Sequence, residues 1–263
     1  MEIKLRNVSF NNSLFDINHT FKKGKINCII GSSGSGKTIL SYLLIGLLFP
    51  DTGEILINDN LLTKNNIEDI RKNIGYVFQN TEDSFIGLTV REELEYSLKN
   101  NIKRYNNKDK IIRQAIEMFD LDNSILDKEI NILSSGELEK IAIVSSYILN
   151  PKVLILDEPT VNLDNKSEKK LIRFLKKLSK DYNKTIIVIS NNIEFVYKIN
   201  DDILFLNNGR KIKNNNYNTL IRNNMEVPKI LEFINYVNKK KKLNIKDTDN
   251  INDLIKEIVD YVS

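Results

Sequence analysis

The sequence predicts an α/β fold whose core is interrupted by a helical insert, and three observations predict it. First, Lys25-Ile26-Asn27-Cys28-Ile29-Ile30 reads as a buried strand. It runs into Gly31-Ser32-Ser33-Gly34-Ser35-Gly36-Lys37-Thr38 and then into a helical pattern from Thr38 to Leu48. Second, Val153-Leu154-Ile155-Leu156 is an apolar strand ending in two carboxylates, Asp157 and Glu158. Third, the stretch between them, residues 90–149, carries apolar positions at helical spacing in Val90–Leu98, Ile111–Leu121 and Leu138–Leu149.

The remaining elements follow in order. Glu2 to Val8 alternates as a half-buried strand does, and residues 1–30 supply strands leading into the glycine-rich segment. Glu54–Ile57 and Ile74–Phe78 are further short strands. After the insert the pattern returns to strand, helix and strand: Val153–Leu156, Ser167–Leu178 and Thr185–Ile189. Ile203–Leu206 is one more strand, with Asn207-Asn208-Gly209-Arg210 as its turn. Residues 214–226 are polar and read as a linker with a short helix. Two amphipathic stretches follow, Ile230–Val237 and Ile251–Val262. The run Lys239-Lys240-Lys241-Lys242 between them is read as a solvated loop, with contact to anionic lipid headgroups as the sharper reading.

The segment Gly31–Thr38 fits G-x-x-x-x-G-K-[ST], the phosphate-binding P-loop. Its glycines let successive backbone N–H groups point inward at phosphate oxygens, and the following helix adds its positive dipole end. Lys37 is placed to reach the β- and γ-phosphates and Thr38 to put its hydroxyl on Mg²⁺. Asp157 is the second Mg²⁺ candidate, at the C-terminal end of a strand where ligands bind in α/β sheets. Glu158 is the candidate for polarising an attacking water.

Totals bound the rest. With 39 basic against 35 acidic residues the net charge is +4, too balanced to argue for nucleic acid, and no nucleic-acid partner is expected. The single cysteine, Cys28, sits in a strand and reads as a small core residue in a reducing compartment. The sole histidine, His19, gives no basis for a His-rich metal site. No secretory signal is visible, and the longest apolar run, Ile39 to Phe49, is too short to span a bilayer. A cytosolic protein, or one resting on the membrane through a partner, is expected.

Further motifs stand in a fixed order. Gln79 follows Tyr76-Val77-Phe78; Leu133-Ser134-Ser135-Gly136-Glu137 precedes a helix; Glu158-Pro159-Thr160 is followed by Leu163-Asp164. With the P-loop and Walker B strand, these resemble the ATP-binding-cassette (ABC) family over about residues 1–213. The resemblance implies a P-loop NTPase with an antiparallel β subdomain and a helical insert, about 90–149, binding ATP and Mg²⁺. It implies that Gln79 joins the catalytic and Mg²⁺ sets. It also implies that two cassettes sandwich two ATPs, so that Ser134, Ser135, Gly136 and Glu137 face the partner's γ-phosphate.

Three departures from that pattern matter. The strand after Walker B ends Ile189-Ser190-Asn191-Asn192, so Asn191 takes the family's histidine position. Slow hydrolysis is expected, unless Asn191 or Asn192 substitutes adequately. Ser135 and Glu137 replace a signature glycine and glutamine. The aromatic residue that stacks on adenine in the family is replaced by Asn12; Phe10 and Phe15 are each read as core residues, with either as the alternative adenine platform.

Val77-Phe78-Gln79-Asn80, Asp83–Val90, Leu94–Asn100 and the C-terminal part from Val227-Pro228 onward, with Ile251-Asn252-Asp253-Leu254, are similar to ATPase subunits of energy-coupling-factor (ECF) transporters. That resemblance implies a second ATPase subunit, with a heterodimer favoured over a homodimer, at the cytoplasmic face of the cell membrane. It also implies a transmembrane coupling subunit, received in a groove at about Gln79–Leu98, and a membrane substrate-binding subunit for a vitamin or metal micronutrient. The competing readings are a degenerate nucleotide-binding subunit beside an active partner, and a soluble ABC ATPase.

Overall fold

The structure, a computed structural model, describes residues 1–81, 84–99, 107–213, 216–241, 243–248 and 251–262. Two sheets carry the fold. An antiparallel sheet has the order β2-β1-β4-β5, from β1 (Ile3–Phe10), β2 (Leu14–Phe21), β4 (Thr52–Ile57) and β5 (Asn60–Leu61). The second has the order β10-β9-β3-β8-β7-β6. Its members are β3 (Ile26–Ile30), β6 (Ile74–Val77), β7 (Val153–Asp157), β8 (Thr185–Ser190), β9 (Asp202–Asn207) and β10 (Arg210–Lys211). All pairs in it are parallel except the β9–β10 hairpin.

The parallel strands are apolar on both faces because both faces are covered. Cys28, Leu154, Leu156, Ile186 and Val188 face one apolar cluster, and Ile29, Val153, Ile155, Ile187 and Ile189 the other. That is the two-residue period of a strand read out as two cores. One core lies towards the antiparallel sheet and α1 (Lys37–Leu44). The other lies towards the remaining helices: α3 (Val90–Lys99), α4 (Lys108–Met118), α5 (Ser135–Tyr147), α6 (Asn165–Lys180) and α7 (Ile193–Ile199). Cys28 is buried there, as the sequence implies. His19 is also structural. Its ring stands edge-on to Phe21 at 4.7 Å, and burial, then Lys211, pushes it down to about 4, so it is neutral near pH 7.

Several boundaries differ from expectation, each for a local reason. The helix expected from Thr38 to Leu48 stops at Leu44, because Gly46 N–H bonds Leu43 O and Leu47 N–H bonds Tyr42 O, a Schellman closure. Arg71, in the short helix α2 (Ile67–Arg71), holds that end by donating to Ile45 O and Gly46 O at 3.0 and 2.8 Å. The helix expected to begin at Leu138 begins at Ser135, since Ser134 and Glu137 form a capping box. Strand β5 and helices α2 and α7 carry too few periodic positions to be read from sequence. The lysine run is a further correction. Lys239, Lys240 and Lys241 form the last turn of α9 (Lys229–Lys241), where positive charge complements the helix dipole; Lys242 lies outside the described residues, as do Asp83 and Asn100.

The C-terminal elements α8 (Tyr217–Arg222), α9 and α10 (Ile251–Val262) share the helical-side core through Leu220, Leu231, Ile234, Ile245 and Leu254. Among the described residues no helix is long and apolar enough to cross a membrane.

The β9–β10 turn ties the two sheets to the glycine-rich loop. Asn208 and Gly209 both have positive φ, 46° and 70°, the type I′ requirement. Gly209 accepts from Phe15 N–H at 2.8 Å and donates to Ser35 O at 3.1 Å, while a Cβ on it would stand 2.2 Å from Ser13 O. Gly209→Ala is therefore expected to lower stability by about 1–3 kcal/mol and to weaken nucleotide binding together with it. Urea denaturation and nucleotide titration of the variant check this.

Candidate nucleotide site

Four segments leave the C-terminal ends of four adjacent parallel strands, and the ladder brings them level. Ile30 pairs with Ser190, Asp157 with Ile189, and Val77 with Leu156. The P-loop follows β3, Asn191 follows β8, Glu158 follows β7 and Gln79 follows β6. They surround a cavity of about 560 Å³, which Asn12, Ser13, Phe15, Asn208 and Gly209 close from the antiparallel sheet and the β9–β10 turn.

The P-loop wraps the N-terminus of α1. Gly36 has φ 100°, and a Cβ there would meet Leu14 at 2.7 Å, so only glycine fits. Lys37 is buried and donates from Nζ to Gly31 O at 2.8 Å and Ser32 O at 3.1 Å. Burial pulls its ammonium below the usual lysine range, and Glu158 and Asp157 oppose that pull. Ser33, Gly34, Gly36, Lys37 and Thr38 line the cavity. Gly31, Ser32 and Ser35 do not: Gly31 lies under Leu206 O, Ser32 is exposed, and Ser35 is buried.

Asp157 and Glu158 have different environments. Asp157 accepts from Tyr76 Oη at 3.2 Å, and Tyr76 Oη lies 2.8 Å from Ser41 Oγ, which bonds Thr38 O. Burial pushes Asp157 up to about 6; the Tyr76 hydrogen bond and Lys37 act against it. Tyr76 thus positions the carboxylate, a role the motif reading missed, since only tertiary pairing of β6 with β7 creates it. Glu158 has φ 51°, unusual for a long side chain. Its Oε2 accepts from Ser190 Oγ and Asn191 N–H, both at 3.1 Å, while Oε1 is buried with no protein partner. One oxygen is held by two hydrogen bonds and the other by none.

The structure separates the two asparagines. Asn192 caps α7 by accepting from Phe195 N–H at 3.0 Å, whereas Asn191 lines the cavity. It also separates Phe10 from Phe15. Phe10 packs on the apolar core, as expected, but Phe15 lines the cavity, with the Arg210 guanidinium 4.8 Å above its ring. The expectation of a core role for Phe15 is corrected accordingly.

Thr38, Gln79 and Asp157 offer oxygen donors in the one cavity. Among the described residues no group of three His, Cys, Asp or Glu could hold a metal alone. This fits a Mg²⁺ held by one carboxylate plus substrate phosphates.

Ser134, Ser135, Gly136 and Glu137 stand at the start of α5, outside this cavity. Glu137 turns back: its Oε2 accepts from Ser134 N–H at 2.9 Å and Oγ at 2.8 Å, and Lys128 donates to Oε1 at 3.2 Å. Hydrogen bonds from Ser134 and then Lys128 hold its carboxyl below the usual range.

Fold and site together define a P-loop nucleotide hydrolase. Comparison with known proteins places it more narrowly. The ABC transporter family profile matches residues 14–161. The energy-coupling factor transporter ATP-binding protein EcfA1 of Mycoplasma mobile is 32% identical, over 97% of this chain and 96% of its own. That of Mycoplasmopsis synoviae is 37% identical, over 73% and 74%. The solved structure of cbiO1 from Clostridium perfringens, part of the cbiONQ ABC transporter complex, superposes with TM-score 0.76 at 27% identity, over 90% of this chain and 94% of its own. The chain belongs to the ABC transporter family of ATPases, as an ATP-binding subunit of the energy-coupling-factor type.

Because Asn192 is a cap, Asn192→Ala is expected to cost about 1 kcal/mol of stability, whereas Asn191→Ala changes it by less than about 0.5 kcal/mol. Chemical denaturation of both variants tests the division of labour.

Proposed function

We propose that this chain binds ATP with Mg²⁺ and hydrolyses it to drive micronutrient uptake by an ECF-type importer at the cytoplasmic face of the membrane. The observation that carries the reading is Glu158: one carboxylate oxygen pinned by Ser190 and Asn191, the other unpartnered beside Lys37 and Asp157. That oxygen accepts the proton of a water as the water bonds to the γ-phosphorus; the bond to the β–γ bridging oxygen breaks, releasing ADP and phosphate. Lys37 leaves its loop carbonyls for the β- and γ-phosphates, and the P-loop N–H groups hold the phosphate oxygens. Mg²⁺, when bound, neutralises charge building on the phosphates, and Thr38, Gln79 and Asp157 are the residues that would hold it. Phe15, backed by Arg210, is the adenine platform, with Asn12 at its edge.

Asn191 offers an amide donor in place of an imidazole and cannot titrate. A lost transition-state contact is worth about 10²–10³ in rate, so turnover at this site is slow. The signature residues Ser134–Glu137 lie outside the chain's own cavity, which supports a second cassette completing the site across an interface. The damaged switch and signature positions, Asn191 and Ser135, favour a heterodimer whose partner supplies the better catalytic centre. We divide the chain into an ATPase domain, residues 1–213, and an extension, 214–263.

A groove of about 680 Å³ lined by Phe85, Leu88, Glu92, Ile130 and Leu138 is the seat we assign to the transmembrane coupling subunit. Leu88 on its wall and Ile86 beside it are 77% and 65% exposed. Buried Glu93 holds that loop rigid, accepting from Ile86 N–H at 2.8 Å, Gly87 N–H at 3.0 Å and Ser145 Oγ at 3.1 Å. The transported substrate is chosen by the membrane substrate-binding subunit.

Steady-state ATP hydrolysis of the purified chain, alone and with Asn191→His, tests the reading. Low wild-type turnover raised about tenfold or more by the histidine supports the missing switch as the limit. Normal turnover, unchanged by the substitution, removes the degenerate-subunit alternative. Glu158→Gln is expected to lower any turnover by about 10²–10⁴ while ATP still binds, measured by nucleotide titration.

A further inference from the structure

A second cavity, of about 260 Å³, lies between the helical insert and α6 and shares no lining residue with the nucleotide site. Its apolar floor is built from Phe119, Ile143, Leu171 and Phe174. The rings of Phe119 and Phe174 lie 3.9 Å apart between centroids, with Tyr147 edge-on to both at 6.3 and 6.1 Å. An engineered cavity of about 150 Å³ accommodates benzene, so this one has room for two fused rings.

The wall is not apolar throughout. Glu139, one turn before Ile143 on α5, lines the cavity and is 3% exposed. Its Oε1 is buried and has no hydrogen-bond partner. Native proteins rarely leave a buried carboxyl unpaired, because it has lost water and gained nothing in return. Burial alone pushes this group up to about 8, so near pH 7 it is mostly the neutral acid, able both to donate and to accept.

The rim is predominantly cationic. Lys170, Arg173 and Lys177 recur at i, i+3 and i+7 along α6, on the face that holds Phe174, and Lys140 adds a fourth cation from α5. Asp120 is the one acidic residue on the rim. None of the four cations forms a salt bridge among the described residues. Burial, and then Lys170, pulls Lys140 below the usual lysine range, while Glu137, Asp120 and Asp164 oppose the pull. Clustered cations over a low-dielectric floor focus a field that attracts an anion.

We propose that this cavity binds a small amphipathic anion. Its apolar ring system lies against Phe119 and Phe174, a hydrogen-bonding group meets Glu139, and its acidic group sits among Lys140, Lys170, Arg173 and Lys177. The ligand would clamp α5, whose first turn carries Ser134–Gly136, to α6, which follows the Walker B strand.

The probe is 5-aminonaphthalene-1-sulfonate, which has two fused rings with an amine and a sulfonate at opposite ends. The chain has no tryptophan, so the probe's fluorescence is read without interference. Titration of the full chain, with ATP present and absent, is expected to show one site per chain, weakened by salt. The exposed double reversal Arg173→Glu/Lys177→Glu is expected to weaken the probe about tenfold or more while ATP affinity is unchanged. Glu139→Leu is expected to weaken it about tenfold, the scale of one charge-assisted or buried hydrogen bond, and to melt at or above the wild-type temperature. Binding at several sites, or equal affinity in wild type and the charge-reversal variant, overturns the proposal; the reversal decides the matter even if Glu139→Leu folds poorly.

Discussion

The parallel ladder β3-β8-β7-β6 is the constraint on which the rest depends. Each strand contributes one chemical element from its C-terminal end, and none of these is useful unless all four ends are level. The register supplies that, with Ile30 beside Ser190 and Asp157 beside Ile189. A slip of one residue would move every side chain of a strand to the other face. Here it would also exchange two apolar cores, since neighbouring residues such as Ile186 and Ile187 belong to opposite clusters. Hydrophobic burial on both faces therefore fixes where Glu158 and Asn191 stand, although neither residue takes part in either core.

The two sheets share one apolar core, and a few backbone contacts at its edge shape the mouth of the site. Gly209 touches both the P-loop and the start of β2. Through it the antiparallel sheet brings Phe15 and Asn12 over the cavity. On the opposite side the helical insert is joined to the loop after β6 by Glu93.

Much of this was legible in the sequence because the decisive motifs are local. The P-loop needs glycines at fixed offsets and a helix start, and the Walker B strand needs an apolar run ending in carboxylates; both are written within ten residues. What escaped was tertiary. Tyr76 serves Asp157 across strands 81 positions apart. Ser190 pins Glu158, and Asn192 proved a cap only once α7, too short for a periodic signal, was in place. Phe15 looked like any apolar residue in a strand, and its exposure to the cavity depends on where the β9–β10 turn packs. Glu137 read as a displaced signature residue, whereas its partners Ser134 and Lys128 show it working as a helix cap.

Twelve non-glycine residues among those described have positive φ, and eleven are asparagine or aspartate. Those short side chains bond to their own backbone and tolerate the left-handed region. The exception is Glu158. Asparagine or glycine suits that backbone better than glutamate does. A glutamate there carries backbone strain that the surrounding structure holds in place, with Ser190 and Asn191 fixing its side chain.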